Sequence, residues 1–516
     1  MAYSKRFATL ITTLLLLSAC LSACVVNPVT GKKQFSLISA EKEVAIGQQQ
    51  YQPARQAQGG AYYLDPAIQA YVAGIGHKLA AVSDRPDLPY EFVVLNNPVP
   101  NAWALPGGKI AINRGLLTQL QDESELAAVL AHEIVHAAAR HGAAQMTRST
   151  FIGIGAQALG AIAQSQGYGG VGGMAAQYGS AAWIARYGRG AELESDAYGM
   201  EYMVRAGYDP QGAVKLQETF VQLSKGRQAS FLSNLFASHP PSQARVNANR
   251  IKAKTYPPGG IVNRAVYQKK LARIHKDQAA YQAQEKAMAA LKNKAPEKAL
   301  SYLNTAVKLQ PREGQFWELR GHAWLMLNKA ANADKAFSTA ISKNPRYFSH
   351  HLARGVLRFK QGKKTVANKD LINSHQLLPT PTASLYLGEI ASAQGDQKTA
   401  IRHYQTAAQA KNIIGQQARD KIAVIEIKQH PSKYILTQLA LDADGYVKVA
   451  LYNQSNIPVK NVIVQISTST AHVLKLGISS LKAKEKTARR TKIGPFNSPA
   501  AINNYQATVV QAVIQE

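Results

Sequence analysis

Cysteine is almost absent: the 516 residues hold two, Cys20 and Cys24, both near the start. A disulfide framework in the body of the chain is thereby excluded, and the pair sits where lipidation rather than structure accounts for it. Acidic residues are scarce too, 31 against 60 lysines and arginines, for a formal net charge of +29. That balance suits nucleic acid or an anionic membrane surface. There is no zinc finger, RNP-like strand or dense basic stripe with interleaved aromatics, so nucleic acid is set aside. Anionic lipid or lipopolysaccharide fits the charge better. Long apolar runs are also missing. Phe7 to Leu17 is too short to span a bilayer, and the uncharged stretch Phe151 to Trp183 is broken by glycines and glutamines.

What is present at the amino terminus is an export signal. Lys5-Arg6 supplies a basic region and Phe7 to Leu17 an apolar one. Leu17-Ser18-Ala19-Cys20 and Leu21-Ser22-Ala23-Cys24 each resemble a bacterial lipobox. Residues 1–24 therefore read as a lipoprotein signal peptide, with a plain secretory signal as the alternative. Cys24 lies nearer Asn27-Pro28 and Cys20 gives the shorter signal, so both stay open as the lipidated residue. A lipid anchor would tether an otherwise soluble protein to a membrane. Neither cysteine precedes Asp, which resembles the sorting pattern of outer-membrane lipoproteins. The expected place is the periplasm, on the inner leaflet of the outer membrane.

The chemistry centres on His132-Glu133-Ile134-Val135-His136, within Ser124 to His141. Apolar and small residues recur there every three or four positions with no Gly or Pro before Gly142, which predicts a helix. A spacing of four puts both imidazoles on one face, one turn apart, within reach of one Zn²⁺ per chain. Glu133 projects from an adjacent position, suited to act on the hydrolytic water rather than to ligate. The bland alternative is a helix whose His and Glu are ordinary surface groups. A second acidic segment, Ala191 to Gly199, weighs against it, because Glu192 and Asp196 are again one turn apart. A two-His, one-Glu site needs one carboxylate on the metal and another on the far ring nitrogen of a ligand histidine.

These residues resemble the M48-type zinc metalloproteases, the gluzincin family that includes the CAAX-prenyl and HtpX-type peptidases. The similarity is nearest to the periplasmic branch that carries TPR repeats. It covers roughly Asn27 to Asn249. It rests on Asn27-Pro28-Val29-Thr30-Gly31, on Asn101 to Gly108, on the HExxH box, on Arg189-x-x-Glu192-x-Glu194-x-Asp196, and on Ser238-His239-Pro240-Pro241 with Arg245. The resemblance implies Glu192, not Glu194, as third metal ligand beside His132 and His136. It makes Glu133 the catalytic base, matches Asp196 to the family's Asp, and sets His239 nearby to assist or gate the metal. Gly188 and Ser195 depart from the family's usual Ser and Ala. Arg245 either meets the substrate or clamps a carboxylate.

Around this box the coarse reading is α+β. Helices start at Ser39 and at Asp65-Pro66. Tyr90 to Leu95 reads as a strand, and Ala102 to Ile112 as a second extended piece broken by Pro106-Gly107-Gly108. Asn101, Ala102, Trp103 and Ala104 are the candidate substrate contacts, through strand addition; the plain alternative is a tight turn. His77 reads as a packing or surface residue. Phe151 to Gly179, dense in Gly and Ala, suits a gate or membrane-touching loop as well as a floppy connection. Helices follow over Ala182 to Gly207 and Ala213 to Leu223, with a closing one from His239-Pro240-Pro241 through Arg245.

Past Tyr256 a 34-residue period appears: Pro311, Pro345 and Pro379; Gly321 and Gly355; Ala299, Ala333 and Ala367. This is the TPR signature, about three to four helix–turn–helix repeats. After His430-Pro431 the pattern turns to alternation in Leu436–Leu441, Val447–Leu451, Val459–Ile466 and Gln506–Val513, which predicts a β-sandwich absent from the branch named above. The predicted order is a zincin-like α+β metalloprotease domain (25–256), a linker (257–276), TPR repeats (277–429) and a β-sandwich domain (432–516), mainly α overall. The function implied is zinc-dependent endopeptidase in envelope protein quality control. Its partners would be unfolded or misassembled envelope proteins, and outer-membrane assembly machinery through the TPR domain. The alternative is a TPR scaffold or chaperone for outer-membrane protein assembly whose protease domain is latent.

Overall fold

The structure, a computed structural model, describes residues 24–150, 187–225, 238–468 and 472–515. The signal-peptide segment with Cys20 and the Gly/Ala stretch Phe151 to Gly179 lie outside the described residues. The chain divides into two units, Met1–Arg354 and Gly355–Glu516.

The first unit opens with an antiparallel hairpin of β1 (Cys24–Val26) and β2 (Lys33–Phe35). Asn27 closes its turn, its Oδ1 accepting from Val29 N at 2.9 Å. Two capped helices follow, α1 (Ala40–Ala57) on Ser39 and α2 (Pro66–Ala80) on Asp65 with Pro66 at the first position. The sheet has β3 (Glu91–Leu95) parallel to a central β5 (Lys109–Asn113), with β4 (Ala102–Leu105) antiparallel on the far side. Pro106-Gly107-Gly108 is the β4–β5 turn, and both glycines need left-handed φ values, +77° and +83°. β4 is thus an edge strand of this sheet.

After the one-turn α3 (Arg114–Leu117) comes α4 (Glu123–Ala138), which carries the HExxH box. Asp122 caps it, and every one of its residues is buried. It is enclosed by α2 and β4 and, later in the chain, by α5 (Arg189–Arg205) and α6 (Gln211–Lys225). The expected run to His141 is corrected: the helix ends at Ala138, because Arg140 turns left-handed at φ 62°. Arg140 is anchored there, donating from Nε to Glu43 Oε2 at 2.9 Å and from a terminal nitrogen to Ile38 O at 2.6 Å. Residues 187 and 188 precede α5 without helical structure, so that helix starts later than Ala182 implies. The closing helix likewise begins later, as α7 (Gln243–Ala253) capped by Ser242.

Residues 264–276, expected as linker, form the first half of α8 (Arg264–Lys292). Tyr267, Leu271 and Ile274 recur at helical spacing and are buried in the core shared with the HExxH helix. Tyr267 also donates to Leu117 O at 2.7 Å. The repeat helices continue as α9 (Pro296–Leu309), α10 (Gly314–Met326) and α11 (Ala330–Lys343), then α12 (Phe348–Lys360), within which the unit boundary falls. The periodic Ala299 and Ala333 are fully buried where paired helices cross. Among the described residues no helix is long and apolar enough to cross a membrane.

In the second unit the repeats run on through α13 (Lys364–Leu377), α14 (Pro381–Ala393), α15 (Gln397–Ala408) and α16 (Ile413–Glu426). The carboxyl end is a sandwich of two three-stranded antiparallel sheets. Its strands are β6 (Ile435–Leu441), β7 (Val447–Asn453), β8 (Val459–Thr468), β9 (His472–Leu481), β10 (Lys486–Arg490) and β11 (Tyr505–Ile514). The sheet orders are β10-β7-β6 and β11-β8-β9. Val449, Leu451, Val462, Val464, Ile466 and Val509 fill the space between the sheets.

Candidate metal centre

Two helices build the centre by their periodicity. On α5, Glu192, Asp196 and Gly199 share one face at successive turns. A Cβ on Gly199 would lie 3.2 Å from His132 N, so this glycine lets α5 press against the HExxH helix at the level of its first histidine. Four donors converge as a result. His132, His136, Glu192 and His239 each offer a ligand atom, all within 4.8 Å of one another and all buried. His132 Nε2 lies 3.0 Å from His136 Nε2; Glu192 lies 3.4 Å from His136 Nε2 and 3.6 Å from His132 Nε2. His239 Nδ1 lies 3.3 Å from His132 Nε2 and 3.2 Å from Glu192. This cluster can hold a metal ion.

The far ring nitrogens are also held. His132 Nδ1 lies 3.0 Å from Asp196 Oδ1. Asp196 in turn accepts from Arg245 Nε at 2.7 Å and from a terminal Arg245 nitrogen at 2.8 Å. Arg245 also reaches Glu192 Oε2 at 3.0 Å and Pro240 O at 3.1 Å. Of the two roles open to Arg245, the structure spends its donors on the clamp. Gln217 adds a donor to Asp196 Oδ1 at 3.3 Å. Burial works against ionisation of Asp196, but Arg245 and His132 outweigh it and hold the carboxyl below its ordinary range. Burial likewise disfavours a charged His132, yet Asp196 and Glu192 raise it to about 10.

His136 is held by residues that its helical face does not predict. Its Nδ1 lies 2.9 Å from His141 Nδ1, and His141 Nε2 lies 3.2 Å from Glu194 Oε1. Asn27 Nδ2 donates to that same Glu194 oxygen at 2.9 Å. With the His136 Nε2 lone pair facing the cluster, its Nδ1–H donates to His141, and His141 Nε2–H donates to Glu194. The Tyr187 ring stacks on His136 at 3.8 Å between centroids. His141 is five positions from His136, off the ligand face of a continuous helix. Only the left-handed Arg140 folds it back.

Glu133 is buried, with Oε1 3.5 Å from His239 Nε2 and Oε2 without a partner. Burial raises its carboxyl, against the opposing pull of the His239 and His132 imidazoles. Asn101 O is taken by Asn113 N at 2.8 Å. By alternation, Asn101 and Trp103 spend their backbone groups on β5, and Ala102 and Ala104 face the HExxH helix. The Trp103 side chain packs in a separate cluster with Tyr51 and Leu95. A small cavity of about 20 Å³ beside Glu133 is walled by Leu116, Val129, Leu216 and Phe220.

An HExxH pair joined by a downstream Glu on a neighbouring helix defines a zinc-metalloprotease-like domain. Residues 66–252 match the family model Peptidase family M48. The chain is 30% identical over 242 residues to the beta-barrel assembly-enhancing protease of Escherichia coli (strain K12), covering 45% of this chain and 48% of that protein. It is 29% identical over 238 residues to the protein of the same name from Yersinia pestis, covering 45% and 48%. To the mitochondrial metalloendopeptidase OMA1 of Schizosaccharomyces pombe it is 31% identical over 228 residues, covering 42% and 63%. The chain thus spans about half the length of the bacterial relatives it matches. Among solved structures, the Arabidopsis OM64 TPR domain is 24% identical and covers 23% of this chain and 98% of that one, with a TM-score of 0.22.

Proposed function

We propose that the protein is a zinc-dependent endopeptidase of the bacterial cell envelope that hydrolyses misfolded or misassembled periplasmic and outer-membrane proteins. The observation carrying this is the convergence of His132, His136 and Glu192 beside a buried, unpartnered Glu133 oxygen. Bonds of about 2.0–2.1 Å in a tetrahedral shell put ligand atoms roughly 3.3 Å apart. The observed separations of 3.0, 3.4 and 3.6 Å match that edge, so the donor set suits zinc. Zinc, when bound, polarises the scissile carbonyl and acidifies water. Glu133 accepts the water's proton and passes it to the leaving amine. Ala102 and Ala104, the outward backbone positions of β4, would pair with an extended substrate.

A second reading, a TPR scaffold with a latent protease domain, draws support from His239. Its Nδ1 stands among the ligand atoms as a fourth donor, where it would compete with water. A lipid anchor at Cys20 or Cys24, a periplasmic outer-membrane location and assembly-machinery partners complete the proposal, which rests for these on the lipobox pattern and the relatives' names. Bound-metal analysis with a casein digestion assay tests it. Zinc retained by Glu133→Gln with cleavage abolished supports the enzyme. Zinc present but no cleavage of any unfolded client, even in His239→Ala, favours the scaffold.

A further inference from the structure

Arg114, just after β5, is only 6% exposed. Its guanidinium stacks on the Tyr281 ring at 3.5 Å from the centroid, and its Nε donates to Asn96 Oδ1 at 3.2 Å. No carboxylate among the described residues pairs with it, and its two terminal nitrogens have no protein acceptor there. The buried Glu313 connects to it through Asn96, whose Nδ2 donates to Glu313 Oε2 at 2.8 Å, and through the stacked Tyr281, whose hydroxyl donates to the same oxygen at 2.8 Å. Four of the five N–H donors of a buried cation are therefore unspent. Arg114 lines a cavity of about 300 Å³ between the loop that leads to β4 and the helix α8.

We propose that this cavity binds the C-terminal carboxylate of a polypeptide. The guanidinium fork matches a carboxylate with two parallel bonds, and stacking on Tyr281 fixes its plane in advance. Thr118, Gln119 and Gln278 line the same space and can pair with the last peptide groups. Pro98 offers apolar surface for the terminal side chain. The charge balance selects a monoanion: one cation faces the cavity, and Glu285 also lines it, so a phosphate dianion would be under-compensated. A chain end held here would sit beside the loop entering the edge strand β4. The inference concerns binding alone and stands whether or not the metal centre hydrolyses peptides.

Fluorescence anisotropy on the full chain carrying Glu133→Gln tests this. The probe is a fluorescein-labelled pentapeptide ending in leucine, as free acid and as C-terminal amide. The free acid is expected to bind tighter by roughly tenfold to a hundredfold, the range for a charge-assisted pair. Arg114→Gln removes the acid–amide difference. Gln278→Glu, an exposed change that leaves the Tyr281 stack intact, weakens the free acid, and Glu285→Gln tightens it. Equal binding of acid and amide overturns the proposal, as does a difference that survives Gln278→Glu in a folded protein. Acetate displacing the probe as well as the unlabelled free-acid peptide overturns a polypeptide source. An amidated peptide with an internal glutamate that binds like the free acid overturns the terminal carboxylate.

Discussion

The Arg245 guanidinium grips both oxygens of Asp196, at 2.7 and 2.8 Å, and Asp196 in turn holds His132 Nδ1 at 3.0 Å. A helix that contributes no zinc ligand in this proposal therefore sets the plane of one ligand ring. Arg245→Lys keeps the charge and loses the fork, so zinc affinity should fall about 10–100-fold with the fold retained. Competition against a chromophoric chelator measures it. Arg245→Ala leaves buried carboxylates uncompensated and should cost about 3–5 kcal/mol in denaturant unfolding.

The chain from His136 through His141 and Glu194 to Asn27 predicts a second effect on the metal. His141→Ala removes the acceptor for His136 Nδ1 and should weaken zinc about tenfold or more. Asn27→Ala, two bonds further out, should weaken it less. The same chelator competition ranks them; an effect of Asn27→Ala as large as that of His141→Ala would contradict the order.

Burial pushes the Glu125 carboxyl from an ordinary 4.5 up to about 7, with Asp122 adding to the rise. The folded state therefore binds this proton more tightly than the unfolded chain. Stability from this group is full below about 4.5 and is lost as pH rises through about 7. Glu125→Gln should raise the midpoint of thermal unfolding at pH 8 and flatten its decline from pH 5 to 8, by about 1–3 kcal/mol. Thermal scans across that range check the sign.

Gly199→Val tests the close approach of α5 to the HExxH helix. A branched side chain would start 3.2 Å from His132 N. Overpacking of this kind costs about 1–3 kcal/mol and should lift Glu192 away from the histidines. Far-ultraviolet circular dichroism should stay helical while bound zinc drops.

The candidate metal cluster was legible through two helices that advertise themselves by spacing, four residues between the histidines and four between Glu192 and Asp196, and through the family resemblance, which singled out Glu192 and His239. His141 was not, because one left-handed residue, Arg140, breaks the periodicity that sequence reading relies on. The segment 264–276 was hidden in a different way. Its buried Tyr267, Leu271 and Ile274 are three apolar positions in a basic, polar stretch, and only the neighbouring core shows that they are covered. Strands β9 and β10 escaped because Gly477 interrupts the first and the second, Lys486–Arg490, is a charged edge. For the candidate substrate strand, composition offered Asn101 to Ala104 alike. Register divides them, since only the hydrogen-bond alternation tells which backbone groups β5 consumes.

Zinc content of the purified full-length chain, read by inductively coupled plasma mass spectrometry, tests the central claim most directly. One equivalent is predicted for the wild type and for Glu133→Gln, and far less for Glu192→Ala, with all three folded. A full equivalent retained by Glu192→Ala, or none in the folded wild type, would contradict it.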